Sequence, residues 1–385
     1  MFPVKKILFF INTLNGGGAE KVLVDLVNNL SPQKFQITVQ TFLDAGVYRS
    51  SLKEHIRYKT IIRLRNPFLR RIAIKLYMKL IPTKYLYKRF IEDDYDCEVA
   101  FLEGFPTRVI GMSGNQKPCR IGWLHTDIIN YPDSCSAYTK KFSEKMAYES
   151  LDKIACVSEA ARENLIKKYK IPKEKTAVIY NIIDDEDVRQ KGCREIGEVI
   201  SRPLLISAGR LTEQKGYDGL LRIHKRLIDD GIDHTLWIVG EGEKRQELEE
   251  YIKANRLKTV KLLGFQENPY QYMAKADVFV SSSIVEGFGM VMTESVILGV
   301  PVISTNTAAV YEPAEAPRCS VVANNPEQLY EEIRKVLSDE NELERLRADV
   351  RGKQAFFRKE QFLSKAESFL IDSIEEATEN VEGKI

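Results

Sequence analysis

The chain has 385 residues, 44% of them hydrophobic and 29% charged, which allows two globular domains and excludes a mainly disordered protein. Its six cysteines include no C-x-x-C pair, which argues against a disulfide framework or structural zinc and favours a reducing cytoplasm. No apolar run approaches the roughly 18 residues of a membrane span, so we expect no transmembrane helix.

Charge is divided unevenly along the chain. Residues 1–180 hold 30 Lys and Arg against 18 Asp and Glu, a balance of +12. The remaining residues hold 27 against 37, a balance of −10. This asymmetry indicates that only the first half meets an anionic surface.

Short β-branched runs alternate with amphipathic helical stretches throughout, which is typical of parallel α/β sheets. The predicted strands are 4–11, 36–42, 98–102, 120–124, 153–157, 177–180, 203–207, 235–239, 260–263, 278–281 and 300–304. The predicted helices include 19–30, 158–168, 217–229, 244–254 and 290–298. The series restarts midway, so we predict two doubly wound, Rossmann-like domains, 1–190 and 191–355, and then an amphipathic helix over 356–385. The sequence leaves open which domain this helix packs on.

The first predicted strand leads into a glycine loop, in the passage INTLNGGGAEK. Gly16, Gly17 and Gly18 would bring backbone N–H groups against a phosphate or a sugar. The passage is not a dinucleotide fingerprint, because G-x-G-x-x-G from Gly16 would need a glycine where Lys21 stands.

Residues 57–91 contain eleven Lys or Arg and no acidic residue, and apolar side chains interleave with the basic ones. This composition is typical of a basic amphipathic segment that lies on anionic lipid. A packed helix with a solvated basic face is the alternative. Nucleic acid binding is a further one, but no recognised motif accompanies the charge.

The first half also contains a histidine directly after a predicted strand and a pair of aspartates before one. His125 follows the predicted strand 120–124, in GWLHTD, whereas His55, His224 and His234 are assigned no role. The pattern Asp94-Tyr95-Asp96 precedes a strand and does not follow one. We therefore interpret it as a solvent-exposed segment that leads into the strand, and we expect no metal site there.

In the second half, Arg210 and Lys215 lie between a predicted strand and the start of a helix. Ligands of open α/β sheets bind beyond the carboxyl ends of the strands, and a helix N-terminus adds positive charge there. Two cations at this place suit a diphosphate. Two solvated loop cations are the alternative.

The passage SIVEGFGMVMTESV puts Glu286 after a predicted strand and Glu294 inside the following helix. Were the whole spacing helical, their Cα atoms would be about 12 Å apart. That is wide for two carboxylates flanking one glycosidic bond or sharing a metal. It suits two acceptors for hydroxyls at opposite ends of an elongated ligand. An ordinary turn residue and an exposed helical residue are the alternative.

The motifs SAGRLTEQKG, IVGEGEKRQELE, VKLLGF and EGFGMVMTESVILGVPVIST occur in this order. Together they closely resemble the retaining, nucleotide-sugar-dependent glycosyltransferases of the GT-B fold, family four, often called group one. The resemblance runs through most of residues 200–310 and continues more weakly through GGGAEKVLVDL and WLHTD. It implies two Rossmann-like domains that face each other across a cleft.

The resemblance also implies a role for each motif. Arg210 and Lys215 would neutralise the donor diphosphate, Glu286 would bind hydroxyls of the transferred sugar, and Glu294 would bind the ribose. His125 matches a position beside the donor sugar. The other positions expected in the donor site are Gly240, Gly264, Phe265, Gly287, Phe288, Gly289, Met290 and Val291.

The family further implies same-face attack with retention of configuration, with no metal and no cofactor beyond the nucleotide sugar. Combined with the basic segment, this predicts transfer of a hexose or N-acetylhexosamine from a UDP-sugar to a polyprenyl-diphosphate-linked glycan. The setting would be capsule or exopolysaccharide synthesis, by a cytoplasmic enzyme at the inner face of the cell membrane. A diacylglycerol glycolipid synthase, a nucleotide-sugar epimerase and a non-catalytic binding module remain alternatives.

Overall fold

The structure is a computed structural model that describes residues 3–15, 17–64, 66, 72, 77, 81–91, 94–129, 137–138, 141–305 and 325–382. The chain forms two compact units. Unit 1 comprises residues 1–182 and 360–385, and unit 2 comprises residues 183–359. Among the described residues, no helix is both long enough and apolar enough to span a bilayer.

Unit 1 is built on a seven-stranded parallel sheet in the order β3-β2-β1-β4-β5-β6-β7. The strands are β1 Lys5–Ile11, β2 Phe35–Leu43, β3 Arg57–Ile62, β4 Cys97–Ala100, β5 Cys119–Leu124, β6 Lys153–Cys156 and β7 Thr176–Val178. Residues 7–11 of β1 are all buried, as expected of a central strand covered on both faces. The order of the strands reverses between β1 and β4, so loops from two directions meet at that edge.

Five helices of unit 1 lie within its first 182 residues, as far as the structure describes them. They are α1 Gly18–Asn29, α2 Thr83–Phe90, α3 Phe105–Gly111, α4 Lys141–Glu149 and α5 Glu159–Tyr169. α5 begins at Ser158, whose side chain accepts a hydrogen bond from the backbone N–H of Ala161 at 3.1 Å. α1 has no such cap and begins directly after the glycine loop.

The basic segment 57–91 is not one amphipathic element. Its first residues form β3, which pairs with β2 so that Thr60 lies opposite Thr41, and its last residues form α2. β3 was not predicted, because Arg57 and Lys59 weaken its apolar signal, and an edge strand tolerates such charges. Residues 65, 67–71, 73–76 and 78–80 of the predicted segment lie outside the described residues.

Unit 2 is built on a five-stranded parallel sheet in the order β10-β9-β8-β11-β12. The strands are β8 Leu204–Ala208, β9 Thr235–Val239, β10 Val260–Gly264, β11 Val278–Ser281 and β12 Val302–Ser304. The helices that the structure describes are α6 Asp185–Gly192, α7 Tyr217–Asp229, α8 Arg245–Ala254, α9 Tyr270–Met273, α10 Met290–Ile297, α11 Pro326–Ser338 and α12 Glu340–Lys353.

The predicted domain boundary after residue 190 falls inside α6, which belongs to unit 2. The polar run DDED at residues 184–187 caps and starts this helix. The side chain of Asp184 accepts from the backbone N–H of Asp187 at 3.1 Å and caps α6. Acidic residues in a first helical turn also interact favourably with the helix dipole.

The last helix, α13 Lys359–Glu382, runs back into unit 1. Glu367 accepts from the Ser31 backbone N–H at 2.9 Å and pairs with Lys34 Nζ at 2.6 Å. On the sheet, Phe369 lies edge-on to Trp123 with 6.3 Å between ring centroids. The tail therefore covers apolar surface of the first unit.

Candidate functional site

The reversal of strand order in unit 2 lies between β8 and β11, and the loops that follow these strands are joined there. The backbone N–H of Ile284 donates to the carbonyl of Gln214 at 2.8 Å, and Gln214 Nε2 donates to the carbonyl of Val285 at 2.9 Å. Ser282 Oγ donates to the carbonyl of Lys215 at 2.9 Å. The sheet order thus brings together the two motifs that the sequence separates by about seventy residues.

Lys215 and Glu286 form an ion pair, with 2.5 Å between Nζ and Oε1. Ser283 Oγ donates to the same carboxylate oxygen at 2.7 Å. The two charged side chains are 20% and 14% exposed, so they are partly withdrawn from water yet within reach of a ligand. In this setting Lys215 can release Glu286 and bind an anionic group of a ligand instead.

Arg210 lies exposed in the same loop after β8 and makes no ion pair with any described residue. The loop also needs glycine at Gly216, where φ is +61° and a Cβ atom would lie 2.3 Å from the carbonyl oxygen of Ser282. This close approach lets the loop turn into α7. Lys215 and Arg210 thus lie near a helix N-terminus, where anions are favoured.

Glu294 is 5% exposed, and its Oε1 accepts a hydrogen bond from the hydroxyl of Tyr270 at 2.8 Å. The alternative that Glu294 is an exposed helical residue is therefore wrong. A buried carboxylate is costly unless it is hydrogen-bonded, which explains the buried tyrosine partner. α10, which carries Glu294, begins after Gly289 in the left-handed conformation.

The remaining predicted positions of unit 2 lie at the same carboxyl edge. The backbone N–H of Gly240, after β9, donates to the carbonyl of Gly264 at the end of β10, at 2.8 Å. A Cβ atom at Gly240 would lie 1.9 Å from the carbonyl oxygen of Gly209. The loops after β8, β9 and β10 therefore contact one another here through backbone atoms. Phe265 follows and is 72% exposed.

Residues 287–291 connect Glu286 to α10. Phe288 and Gly289 are buried, whereas Gly287, Met290 and Val291 are partly exposed. Beside the ion pair, this segment therefore presents only backbone groups and uncharged residues to a ligand.

In unit 1, Gly17 and Gly18 lie at the start of α1, and Gly16 lies outside the described residues. The Glu20 side chain folds back over this turn: a Cβ atom at Gly17 would lie 2.3 Å from Glu20 Oε2. Thr13 Oγ1 donates to Glu20 Oε1 at 3.4 Å. Because this carboxylate would repel a phosphate, the geometry favours the sugar alternative for the glycine loop.

His125 directly follows β5 and is 8% exposed, with its ring centroid 4.7 Å from that of Phe101. Burial lowers the pKa of His125 to about 3, so the imidazole is neutral at physiological pH. Nε2 is buried and makes no hydrogen bond within the described part of the chain. Such an atom is a candidate for contact with a ligand.

Glu103 is a buried residue that the sequence analysis missed. Its carboxylate accepts from the backbone N–H groups of His125 and Thr126. The signal was available, because FLEGF puts an acid in an apolar passage just beyond a predicted strand.

Asp94 and Asp96 do not converge on one point. Asp94 pairs with Lys117 at 2.7 Å in solvent, and Asp96 accepts from the backbone N–H of Lys6 at 2.7 Å. Within the residues that the structure describes, no three His, Cys, Asp or Glu side chains are placed to hold a metal ion.

Known families match both units. The model of "Glycosyl transferases group 1" matches residues 193–353, and that of "Glycosyltransferase Family 4" matches residues 16–187. Among proteins of known sequence, the chain is similar to the N-acetylgalactosamine-N,N'-diacetylbacillosaminyl-diphospho-undecaprenol 4-alpha-N-acetylgalactosaminyltransferase of Campylobacter jejuni. The two are 30% identical over 308 residues, which is 79% of this chain and 81% of that protein.

Solved structures share the fold. HepE of Anabaena in complex with UDP-glucose has a TM-score of 0.69 at 19% identity, covering 96% of this chain and 100% of that one. A glycosyltransferase from Rickettsia africae has a TM-score of 0.70 at 18% identity, covering 98% and 100%. At these identities the likeness concerns architecture.

Proposed function

Because the chain belongs to the group 1 glycosyltransferases of the GT-B fold, we propose that it is a retaining enzyme that uses a UDP-sugar and a lipid-linked acceptor. The sugar would be a hexose or an N-acetylhexosamine, and the acceptor a polyprenyl-diphosphate-linked glycan of a surface polysaccharide such as a capsule. The observation that carries the proposal is the pairing of Lys215 with Glu286 at the strand-order reversal of unit 2.

The donor part of the proposal follows from charge. A nucleoside diphosphate leaving group gains negative charge as the glycosidic bond breaks, and fixed cations stabilise that charge. Lys215 would exchange Glu286 for the diphosphate, and the exposed Arg210 would add a second cation. The released Glu286 would then accept hydroxyl groups of the transferred sugar. Glu294, buried and oriented by Tyr270, would accept from the ribose.

The base and the stereochemistry extend the proposal. Phe265 offers an exposed ring after β10, on which a nucleobase could stack. The proposal assigns Glu286 to hydroxyls of the sugar and Glu294 to the ribose, which leaves neither carboxylate as a nucleophile and favours same-face attack without a covalent intermediate. The leaving phosphate would then take the proton of the acceptor hydroxyl, and no metal or other cofactor would be needed.

The acceptor part rests on chemistry and on one relative. The printed name of the Campylobacter jejuni relative describes a diphospho-undecaprenol acceptor, a lipid diphosphate. α2 of this chain presents Lys84, Lys88 and Arg89 to solvent beside Tyr85, which is 62% exposed. A basic surface with an exposed aromatic ring suits an anionic membrane at which such a lipid resides. We therefore propose peripheral association with the cytoplasmic face of the membrane.

The function is tested in two steps. First, a panel of nucleotide sugars is screened by thermal shift, because a bound donor raises the melting temperature with the logarithm of its occupancy. The best donor is then incubated with a polyprenyl-diphosphate-linked glycan, and the linkage of the product is determined by NMR. We expect a lipid-linked product with the anomeric configuration of the donor.

Three outcomes would contradict parts of this proposal. An inverted linkage would exclude retention. Transfer to diacylglycerol alone would exclude the lipid-diphosphate acceptor. Conversion of the donor sugar without any acceptor would identify an epimerase.

Membrane association is tested by flotation with vesicles of phosphatidylglycerol and phosphatidylcholine. Each cation near an anionic surface contributes about 1 kcal/mol, so in the triple change Lys84→Glu, Lys88→Glu, Arg89→Glu the loss of three cations alone is expected to lower the partition coefficient on the order of 100-fold, and the added carboxylates lower it further. The matched control reverses three exposed lysines elsewhere in unit 1, Lys167, Lys170 and Lys173. An equal loss in both triple variants would show that only net charge matters, and the α2 surface would be rejected.

A further inference from the structure

A buried carboxylate connects the loops that follow β4 and β5 in unit 1. The two strands pair in parallel, with Ala100 opposite Gly122, so the chain leaves both of them at the same edge of the sheet. Glu103 lies three residues beyond β4, and His125 directly follows β5. Both residues are more than nine-tenths buried.

One oxygen of Glu103 receives three donors from the second loop. Oε1 accepts from the backbone N–H of His125, from the backbone N–H of Thr126 at 2.5 Å and from the Thr126 hydroxyl at 3.0 Å. β5 ends at Leu124, so these two amides lie beyond its ladder and need an acceptor from elsewhere. The carboxylate supplies it, and an anion accepts such bonds more strongly than a neutral oxygen does.

His125, whose backbone Glu103 holds, has one ring nitrogen that a ligand could contact. The His125 ring packs against Phe101, and its Nε2 makes no hydrogen bond with a described residue. Packing against Phe101 fixes the imidazole ring, and the hydrogen bond to Glu103 fixes the peptide of His125. The direction in which Nε2 points depends on both contacts. Oε1 of Glu103 already accepts three hydrogen bonds from the His125 loop, so the effect of this oxygen on a ligand would be indirect.

We propose that Glu103 is a positioning residue, which holds the loop of His125 so that the imidazole faces the transferred sugar. The inference rests on the proposed function, since it assigns the sugar as the ligand that His125 meets. It adds a residue from a different strand to the site and gives a reason for an acid in the apolar passage FLEGF.

The test uses Glu103→Gln in the full-length protein. Glutamine has nearly the same shape, but its carbonyl oxygen is neutral and its NH2 group needs an acceptor of its own. Loss of hydrogen bonds to a charged group is expected to lower kcat about 10-fold. We expect the KM for the donor to change little, because the diphosphate contacts lie in unit 2. The amides of His125 and Thr126 are expected to exchange hydrogen faster.

The matched control is Glu98→Gln. Glu98 is a second buried carboxylate of the same strand region, and it accepts from the Tyr87 hydroxyl at 2.6 Å instead of from the His125 loop. It should leave both kcat and the exchange of the two amides unchanged. A second control places Glu103→Gln in a His125→Ala background, where a positioning residue has nothing left to position and its effect on kcat should vanish.

The outcomes separate the inference from the proposed function. Unchanged exchange of the two amides in Glu103→Gln would overturn the inference whatever the activity. Faster exchange with an equal kcat loss in both backgrounds would reduce Glu103 to a stabilising residue and also overturn it. If the parent protein transfers no sugar, the proposed function fails, and the exchange measurement alone then decides whether Glu103 holds the loop.

Discussion

Replacing Lys215 with methionine is expected to lower kcat/KM for sugar transfer by about 100- to 1,000-fold, the usual effect of removing one group that stabilises developing negative charge. Methionine has a side chain of similar length but cannot neutralise the negative charge of the leaving diphosphate. It also leaves Glu286 without its cation, next to the place where the phosphates would bind. Steady-state kinetics with the best donor measures the effect.

The opposite change, Glu286→Gln, separates the two roles of the pair. Transfer should fall because glutamine accepts sugar hydroxyls less strongly than a carboxylate does. Binding of UDP alone should stay the same or tighten, because Lys215 no longer has to leave an ion partner. Isothermal titration calorimetry with UDP compares the parent with both variants.

The control for these two variants is Lys335→Met, which removes another ion-paired lysine of unit 2, 2.6 Å from Glu342. It should affect neither transfer nor UDP binding. If Glu286→Gln weakens UDP binding as much as Lys215→Met does, the proposed exchange of partners is wrong.

Acid is expected to destabilise unit 2 through a buried pair of histidines. His224 on α7 shares a hydrogen bond with Thr259 Oγ1 at 2.9 Å, and its ring lies 4.4 Å from that of His234. Burial, and then the neighbouring His234, lower the pKa of His224 to about 3. Burial also lowers the pKa of His234. Both rings are therefore neutral at pH 7 in the folded protein.

The direction of the pH effect follows from linkage. An unfolded histidine takes up a proton below about pH 6.5, whereas the folded His224 does not until about pH 3, so stability is lost as the pH falls below 6.5. Between pH 6.5 and pH 5, His224 alone should lower the free energy of unfolding by about 2 kcal/mol. His224→Gln should remove this part of the acid sensitivity.

The chain offers a reporter and a control for this measurement. It has two tryptophans, Trp123 in unit 1 and Trp237 in unit 2, so Trp123→Phe leaves the fluorescence of unit 2 alone. Urea unfolding of this background is compared with and without His224→Gln at pH 7 and at pH 5. The exposed His55, changed to glutamine, is the control. An unaltered pH dependence in His224→Gln would refute the argument.

Periodicity predicted most of the two sheets, because buried parallel strands and amphipathic helices leave strong local patterns. The helix 217–229 and the strands 235–239 and 278–281 have the predicted bounds. β3 was missed because an edge strand rich in Arg and Lys has little apolar signal, and α6 because its acidic cap resembles a linker.

The sequence predicts which residues form the candidate site but not which of them contact one another. The ion pair of Lys215 with Glu286 depends on β8 lying beside β11, and sheet order is not written in any local pattern. Tyr270 as the partner of Glu294 and Glu103 as the partner of the His125 loop were missed for the same reason. Each joins segments that are distant in the sequence.

The return of α13 to unit 1 gives the two units different folding histories. Unit 2 is one continuous stretch, so it is complete when residue 359 leaves the ribosome. Residues 1–182 of unit 1 are made before unit 2, yet the sheet face around Trp123 stays uncovered until Phe369 and its neighbours arrive. During synthesis the earlier unit therefore finishes last, and its bare apolar face is the surface that a chaperone would need to shield.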